Sequence, residues 1–382
     1  MSAGLTHYWS PIEDSGRWLG FRFRPGDIVI STRRKTGTTW LQMICALLVF
    51  QTPELPSPLW RLSPWLDKVS VPHDFLYREL DEQPHRRFIK THTPLDGIPL
   101  DPGVTYIVTA RHPLDAYVSL CHHFELLPEP DASAAPAGEF GPPLGGSGQQ
   151  PYRPDQPPGG FGPPPGGFGP PPGGPGQPPP GFGPPPGRHG SPPPGSHGPP
   201  PPGHPGPPPG GPGHPPGGFG PPRVPMSADM LHDALVGWIA DGDDARRDPD
   251  SLSSIMWHLS DAWARRGEPN VLLVRYEDLL ADLAGQMRWL AGRLGITVPE
   301  SAWPALVQAA TFERMRDQAD DLVEFPPGSP GDRASFFYRG SPGAAGEILS
   351  EQELARYYAR AAELAPADML NWLHAPPSRA AG

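Results

Sequence analysis

Cysteine, lysine and long apolar runs are all scarce in this sequence of 382 residues. The two cysteines, Cys45 and Cys121, are too few for a disulfide scaffold. The longest apolar run, Met43 to Phe50, is far too short to span a bilayer. The first 18 residues lack the charged segment and apolar run of a signal peptide. These absences predict a cytoplasmic protein with no membrane partner.

Excess positive charge is also absent, because the formal net charge is −11. We therefore expect no nucleic-acid partner. The 30 basic residues are 27 arginines and three lysines, Lys35, Lys68 and Lys90. Where arginine is the usual cation, a retained lysine suggests a need for a compact ammonium. We interpret Lys68 as incidental, whereas Lys35 and Lys90 lie in motifs described below.

Proline and glycine are abundant, with 62 and 47 residues, and they are concentrated in one segment. Residues 136–225 hold 37 of the prolines and 28 of the glycines but only five charged side chains. The segment has too few apolar side chains to offset the entropy of ordering, so we predict a disordered insert. Residues 1–135 and 226–382 then form the two parts of one domain. The insert is interpreted either as a weak ligand for SH3- or WW-like partners or, as we favour, a tolerated low-complexity expansion.

The rest of the chain alternates strand and helix patterns. Short apolar runs rich in β-branched residues predict strands at 27–31, 87–90, 104–109 and 271–274. Amphipathic patterns predict helices at 38–48, 113–124 and 277–294, with others near 230–240, 252–265 and 351–363. This order predicts an α/β, P-loop-like domain of three layers, with a central, mostly parallel sheet flanked by helices.

The polar turn between the first strand and the first helix has the composition of a phosphate-binding loop. Gly37 lets the backbone approach an anion, and the free N–H groups of the helix start point toward it. Thr38 and Thr39 add hydroxyl donors, and Lys35 adds a mobile charge. The Walker order is absent because Lys35 precedes Gly37.

Five segments, in order, resemble the motifs of the cytosolic sulfotransferases, which use 3′-phosphoadenosine 5′-phosphosulfate. Lys-Thr-Gly-Thr-Thr-Trp resembles the family's 5′-phosphosulfate loop, and Lys-Thr-His-Thr-Pro resembles its K-T-H-x-P segment. An Arg and a Ser eight residues apart resemble its 3′-phosphate segment, and Tyr-Glu-Asp and Phe-Phe-Tyr-Arg-Gly resemble two later motifs. The segments are residues 35–40, 90–94, 109–119, 275–279 and 336–340.

The resemblance implies a donor with two anion sites, sulfuryl transfer to a hydroxyl or an amine of a small-molecule acceptor, and no metal. His92 is the implied general base, Lys35 stabilises the departing phosphate, and Lys90 stabilises the sulfuryl oxygens. The adjacent pair His122-His123 is not interpreted as a metal site, because neighbouring helical residues do not share a face. The residues implied in donor binding are Lys35, Thr36, Gly37, Thr38, Thr39, Trp40, Arg111, Ser119, Tyr276, Phe312, Arg339 and Gly340.

The sequence departs from the family pattern at its last motif. Tyr338 stands where the family has its first basic residue, and the G-x-W that usually follows is missing. These departures are compatible with an altered acceptor, weak donor binding or a degenerate enzyme. Two other hypotheses remain open from the sequence: a P-loop nucleotide kinase, and a non-catalytic scaffold that displays its Pro-rich segment.

Overall fold

The structure of the protein is a computed structural model that describes residues 4–125, 226–242, 244–246, 248–324, 336–337 and 342–378. Its contacts divide the chain into two units. One unit comprises Met1–Pro130 and Gly220–Gly382, and the elements below belong to it. The other unit, Asp131–Phe219, lies outside the described residues, as does the predicted disordered insert at 136–225.

A four-stranded parallel sheet forms the centre of the described unit, with the strand order β2-β1-β3-β4. Ser31 in β1 pairs with Thr91 in β2 and Val108 in β3, so these strands end at a common edge. All four predicted strands are confirmed, with bounds shifted by about one residue. The strands are β1 Ile28–Ser31, β2 Phe88–Thr91, β3 Thr105–Ala110 and β4 Val271–Arg275.

Helices cover both faces of the sheet, because the strands are apolar on both sides. Ile28 and Ile30 of β1 pack in the core cluster that holds α1, α8 and α9, whereas Val29 packs with α4, α5, α6 and α12. The predicted three-layer α/β fold is therefore confirmed. The helices in the described residues are α1 Thr38–Phe50, α2 Leu59–Leu62, α3 His73–Glu82, α4 Pro113–Glu125, α5 Ala228–Ala240, α6 Leu252–Ala264, α7 Tyr276–Ala281, α8 Leu283–Leu294, α9 Trp303–Ala309, α10 Phe312–Asp317, α11 Ala319–Leu322, α12 Glu351–Leu364 and α13 Ala367–Leu373.

One helix prediction is wrong in detail. The segment expected to be a single helix over 277–294 is two helices, α7 and α8, separated at Asp282. Asp282 has φ −150° and ψ 70°, outside the helical region, and its carboxylate accepts a 2.9 Å hydrogen bond from the Gly285 N–H. Aspartate is a favoured N-cap residue, so it starts a new helix here rather than continuing the old one.

Candidate active site

The loop between β1 and α1, residues 32–37, lies at the carboxyl edge of the sheet. Lys35 and Gly37 both have positive φ, 62° and 111°. A Cβ at Gly37 would lie 3.0 Å from Cδ2 of Tyr276, so the loop is both turned and tightly packed there. No side chain caps the start of α1, which leaves the first N–H groups of a 13-residue helix available to an anion.

Among the described residues, no carboxylate pairs with the Lys35 ammonium in this loop. Its Nζ donates to the Phe336 carbonyl at 3.2 Å and lies 3.6 Å from the centre of the Phe336 ring. Burial, together with the Arg111 and Lys90 cations, lowers the pKa of Lys35 to about 7. A bound anion would offset the cost of holding a charged ammonium in this place, so the site fits a phosphate or sulfate group.

Arg111 and Ser119 provide a second place for an anion. Arg111 follows β3, and its guanidinium carbon lies 4.4 Å from the centre of the Tyr276 ring. Its Nη1 donates to the Lys35 carbonyl at 2.8 Å, whereas its buried Nε has no hydrogen-bond partner within the part of the chain that the structure describes. Ser119, on α4, lines the same cavity as Arg111. An unpaired guanidinium N–H beside a hydroxyl suits a phosphate, so the residues fit the second anion site.

Aromatic rings surround the space next to these anion sites. Trp40 is fixed by a 2.8 Å hydrogen bond from its Nε1 to the Ala310 carbonyl, and it packs edge-to-face on Tyr276 at 5.2 Å. Phe312 lines the cavity and packs edge-to-face on Phe337 at 6.0 Å. Flat apolar rings of this kind can hold a nucleobase by stacking.

Among the implied donor-binding residues that the structure describes, Thr36 does not line the cavity. The Thr36 side chain turns away from the cavity, because its hydroxyl donates to the Arg33 carbonyl at 2.7 Å and lies 3.2 Å from the Thr109 hydroxyl. Thr36 is also buried, so its hydroxyl cannot reach a donor from this position. The predicted residues Arg339 and Gly340 lie outside the described residues.

His92 lines the cavity just after β2 with a defined ring orientation. Its Nδ1 lies 2.6 Å from the Thr32 carbonyl, which can only accept, so Nδ1 carries the proton. Burial, and next the Lys90 cation, lowers the pKa of His92 well below its usual value of 6.5. The ring is therefore neutral near pH 7, and its Nε2 lone pair can accept a proton.

Trp65 packs against two of the candidate catalytic residues, Lys90 and His92. Its ring is 4.6 Å from the Lys90 Nζ and 4.8 Å from the centre of the His92 ring. Burial lowers the pKa of Lys90 to about 8, although the Asp67 carboxylate opposes the shift. Lys90 is thus a half-buried cation that packs on the same Trp65 ring as the candidate base, where it would stabilise negative charge.

One cavity of about 560 Å³ brings the sequence-predicted residues together. Cationic side chains outnumber anionic ones in its lining, although the whole chain carries a charge of −11. The cations are Arg34, Lys35, Arg61, Lys68, Lys90 and Arg111, against the two acids Glu79 and Glu324. The predicted residues that line the cavity are Lys35, Gly37, Thr38, Thr39, Trp40, Lys90, His92, Arg111, Ser119, Tyr276 and Phe312.

Sequence analysis missed three residues of the site. Lys68, interpreted as incidental, lines the cavity and donates to Glu324 at 2.7 Å, so all three lysines of the chain line one cavity. The scarcity of lysine, which pointed to Lys35 and Lys90, is a signal that applies to Lys68 as well. Arg33 is buried and donates to the His92 carbonyl at 2.9 Å. For Arg33 and Trp65 the sequence carries no signal, because their partners come from distant segments.

Comparison with known families places this site in context. Residues 25–140 and 245–353 match the sulfotransferase domain family. The chain belongs to the sulfotransferase family. The sequence-based predictions of a sulfotransferase enzyme, of its fold and of 3′-phosphoadenosine 5′-phosphosulfate as the family's sulfuryl donor are confirmed by this membership.

Similar sulfotransferases cover nearly the whole chain. A glycolipid sulfotransferase of Mycobacterium tuberculosis is 33% identical over 96% of this chain and 93% of its own length. The glycolipid sulfotransferase of Mycobacterium bovis is 34% identical over the same shares. Among solved structures, retinol dehydratase in complex with androsterone and the inactive cofactor PAP has a TM-score of 0.52 at 15% identity, over 98% of this chain and 91% of its own. At that identity the likeness supports the fold alone.

The described residues contain neither a cluster of metal ligands nor a membrane-spanning helix. In that part of the chain, no group of three or more His, Cys, Asp or Glu side chains is placed to hold a metal ion. Every helix in the same residues is too short or too polar to cross a bilayer.

Proposed function

We propose that this sulfotransferase acts on a hydroxyl group of an amphipathic acceptor, a sugar or similar polar group attached to a long apolar chain. The observation that carries the proposal is that two kinds of side chain line the cavity: the cations Lys35 and Arg111, and a set of apolar side chains from residues 12–76. We assign the acceptor end to the apolar set, which consists of Ile12, Trp60, Trp65, Val71, Phe75 and Leu76. Arg61, Lys68 and Glu79 of the same stretch also line the cavity.

At the donor end, Lys35 with Thr38 and Thr39 would hold the 5′-phosphosulfate, and Arg111 with Ser119 would hold the 3′-phosphate. Trp40, Tyr276 and Phe312 would enclose the nucleobase. The donor supplies the sulfuryl group and leaves as adenosine 3′,5′-bisphosphate.

His92 would act as the general base through Nε2. The acceptor oxygen forms a bond to sulfur, the bond from sulfur to the bridging phosphate oxygen breaks, and the hydroxyl proton passes to His92. Lys90 would stabilise charge on the sulfuryl oxygens, and Lys35 would stabilise the charge that grows on the departing phosphate. The Nδ1 bond to Thr32 leaves Nε2 as the nitrogen that receives this proton.

The similar mycobacterial enzymes support the acceptor class, because they are named glycolipid sulfotransferases and align over nearly the whole chain. The apolar acceptor end supports the same class independently. The cytoplasmic location expected from the sequence stays a prediction.

Two measurements test the proposal. Calorimetry with adenosine 3′,5′-bisphosphate and with ATP separates a sulfotransferase from a nucleotide kinase and from a scaffold. We expect the bisphosphate to bind much more tightly; tighter ATP binding would favour the kinase, and no binding of either would favour the scaffold.

The acceptor class is tested with two glycosides of one sugar, one methyl and one long-chain alkyl, using mass spectrometry to detect the added SO3. Each buried methylene contributes about 0.8 kcal/mol, so kcat/KM should rise about fourfold per methylene until the apolar end is filled. Equal kcat/KM values for the two glycosides would contradict the amphipathic acceptor but leave sulfuryl transfer intact.

A further inference from the structure

Exposed large hydrophobic residues are concentrated in two segments of the described surface. Nine such residues are exposed in the described part of the chain, and five come from residues 9–19 and 69–75. We call these five the apolar rim. They are Trp9 (62% exposed), Ile12 (38%), Leu19 (70%), Val69 (37%) and Phe75 (43%).

The two segments of the apolar rim form one surface. The Val69 N–H donates to the Ile12 carbonyl at 2.9 Å, and Arg17 donates to the carbonyls of Val69 at 3.1 Å and Val71 at 2.7 Å. The hydroxyl of Tyr77, on α3 two residues after Phe75, donates to the Arg17 carbonyl. These bonds tie the two segments of the backbone to each other.

The apolar rim is continuous with the acceptor end of the cavity. Ile12 and Phe75 are each exposed and also line the cavity, so the cavity reaches the surface at these two residues. Trp60, Val71 and the buried Leu76 add apolar side chains to the same lining. An apolar chain could therefore pass from the surface into the site without crossing water.

The charges near the apolar rim have both signs. Within the two segments Arg17 stands against Glu13, Asp14 and Asp74, and close to them in the chain Arg61, Lys68 and Arg78 stand against Glu79. With a net charge of −11 on the chain, this surface has no electrostatic reason to select an anionic partner. Apolar burial is the force that the surface can offer.

We propose that the apolar rim docks the protein on an uncharged or zwitterionic lipid surface, from which the acceptor enters the cavity. The inference rests on the proposed function, because the rim surrounds the acceptor entrance. A protein partner or a second copy seated there would close that entrance, whereas a lipid layer would supply the acceptor through it. The sequence-based expectation of no membrane partner considered only spanning segments and basic patches, and the rim is assembled from residues about 60 positions apart.

The test is flotation of the full chain with phosphatidylcholine vesicles. The wild-type protein should float with the vesicles, and binding should persist when NaCl is raised, because apolar burial is not screened by salt. The double variant Trp9→Ser/Leu19→Ser should bind the vesicles at least about tenfold more weakly than the wild type. Neither residue lines the cavity. The matched control is Met230→Ser/Tyr358→Ser, which removes two similarly exposed side chains on α5 and α12 and should bind as the wild type does.

Calorimetry with adenosine 3′,5′-bisphosphate on all three proteins separates the two proposals. If the rim variant binds the bisphosphate as tightly as the wild type does, the variant is folded. A loss of flotation by that folded variant then supports docking. If the wild type binds no bisphosphate, the proposed function fails while flotation still reports on docking. Three results would overturn the inference: no flotation of the wild type, equal flotation of the rim variant, or a dimer in sedimentation equilibrium that the rim variant abolishes.

Discussion

The ring of His92 is joined to the Thr32 carbonyl by a 2.6 Å hydrogen bond from Nδ1. Thr32 directly follows β1 and His92 directly follows β2, so the bond links the ends of two neighbouring strands. It fixes the tautomer, and burial keeps the ring neutral by lowering its pKa. The sheet itself thus prepares a base whose free nitrogen is Nε2.

Binding of the bisphosphate should draw a proton onto Lys35. The pKa of Lys35 is lowered to about 7, so its side chain is mostly a neutral amine at pH 8 in the free protein. A bound anion favours the charged form and raises this pKa, so affinity should be steady below pH 7 and fall as the pH rises above it. Calorimetry at pH 8 in two buffers of different ionisation enthalpy should show net proton uptake.

The control for that uptake is Lys35→Arg, since arginine is charged throughout this pH range. Uptake should fall in the variant, with the remainder assigned to Lys90, whose pKa is lowered to about 8. Identical uptake in both proteins would show that Lys35 is already charged before the anion binds.

The two anion sites should respond differently to exchange of their cations. Lys35→Arg keeps the charge but replaces a compact ammonium by a planar guanidinium in a short loop. We expect bisphosphate affinity within several-fold of wild type and a turnover loss on the order of 10²-fold, about 2.7 kcal/mol of barrier.

Arg111→Lys should do the opposite, weakening bisphosphate binding more than it slows the saturated enzyme. The guanidinium lies over Tyr276 at 4.4 Å and donates to the Lys35 carbonyl, and a lysine cannot reproduce both contacts. Calorimetry and saturation kinetics on both variants give the comparison. Equal losses in binding and rate for the two changes would contradict this division of roles.

Gly37→Ala should impair the phosphate loop. The new Cβ would lie 3.0 Å from Tyr276, and φ of 111° is a strained conformation for alanine. We expect destabilisation of about 1–3 kcal/mol and at least about tenfold weaker bisphosphate binding. Thermal unfolding and calorimetry measure the two effects.

Gly292→Ala is the matched control, because this glycine lies inside α8 with nothing within 4 Å of its added Cβ. It should stabilise the protein by about 0.5–1 kcal/mol and leave binding unchanged. If the two alanine variants behaved alike, the left-handed turn at Gly37 would have no special role.

Local sequence patterns predicted the strands that position this site. The four strands are short apolar runs, and the residues that end parallel strands must meet at one edge, so Lys35, His92 and Arg111 could be placed together from the sequence. The break at Asp282 was missed because the amphipathic pattern continues across it, while the Asp282 carboxylate accepts from the Gly285 N–H and starts a second helix.

Long-range contacts set the parts that the sequence did not predict. Arg33 donates to the carbonyl of His92, which is 59 residues away in the sequence. Trp65 contacts Lys90 and His92, although all of α3 lies between them in the sequence. No periodicity encodes such pairs, because they depend on how loops pack after the sheet has formed. The contact of the Thr36 hydroxyl with Thr109 of β3 is likewise set by packing, and the role of Thr36 in donor binding stays a prediction.

The most direct test of the account is single-turnover sulfuryl transfer by wild type and His92→Ala, with the donor saturating and the long-chain glycoside as acceptor. If His92 is the base, the variant should transfer SO3 about 10²- to 10⁴-fold more slowly. Its affinity for adenosine 3′,5′-bisphosphate should stay near that of the wild type, because His92 is not among the residues that would hold the donor. A single-turnover rate within a factor of a few of the wild type would remove His92 from the mechanism.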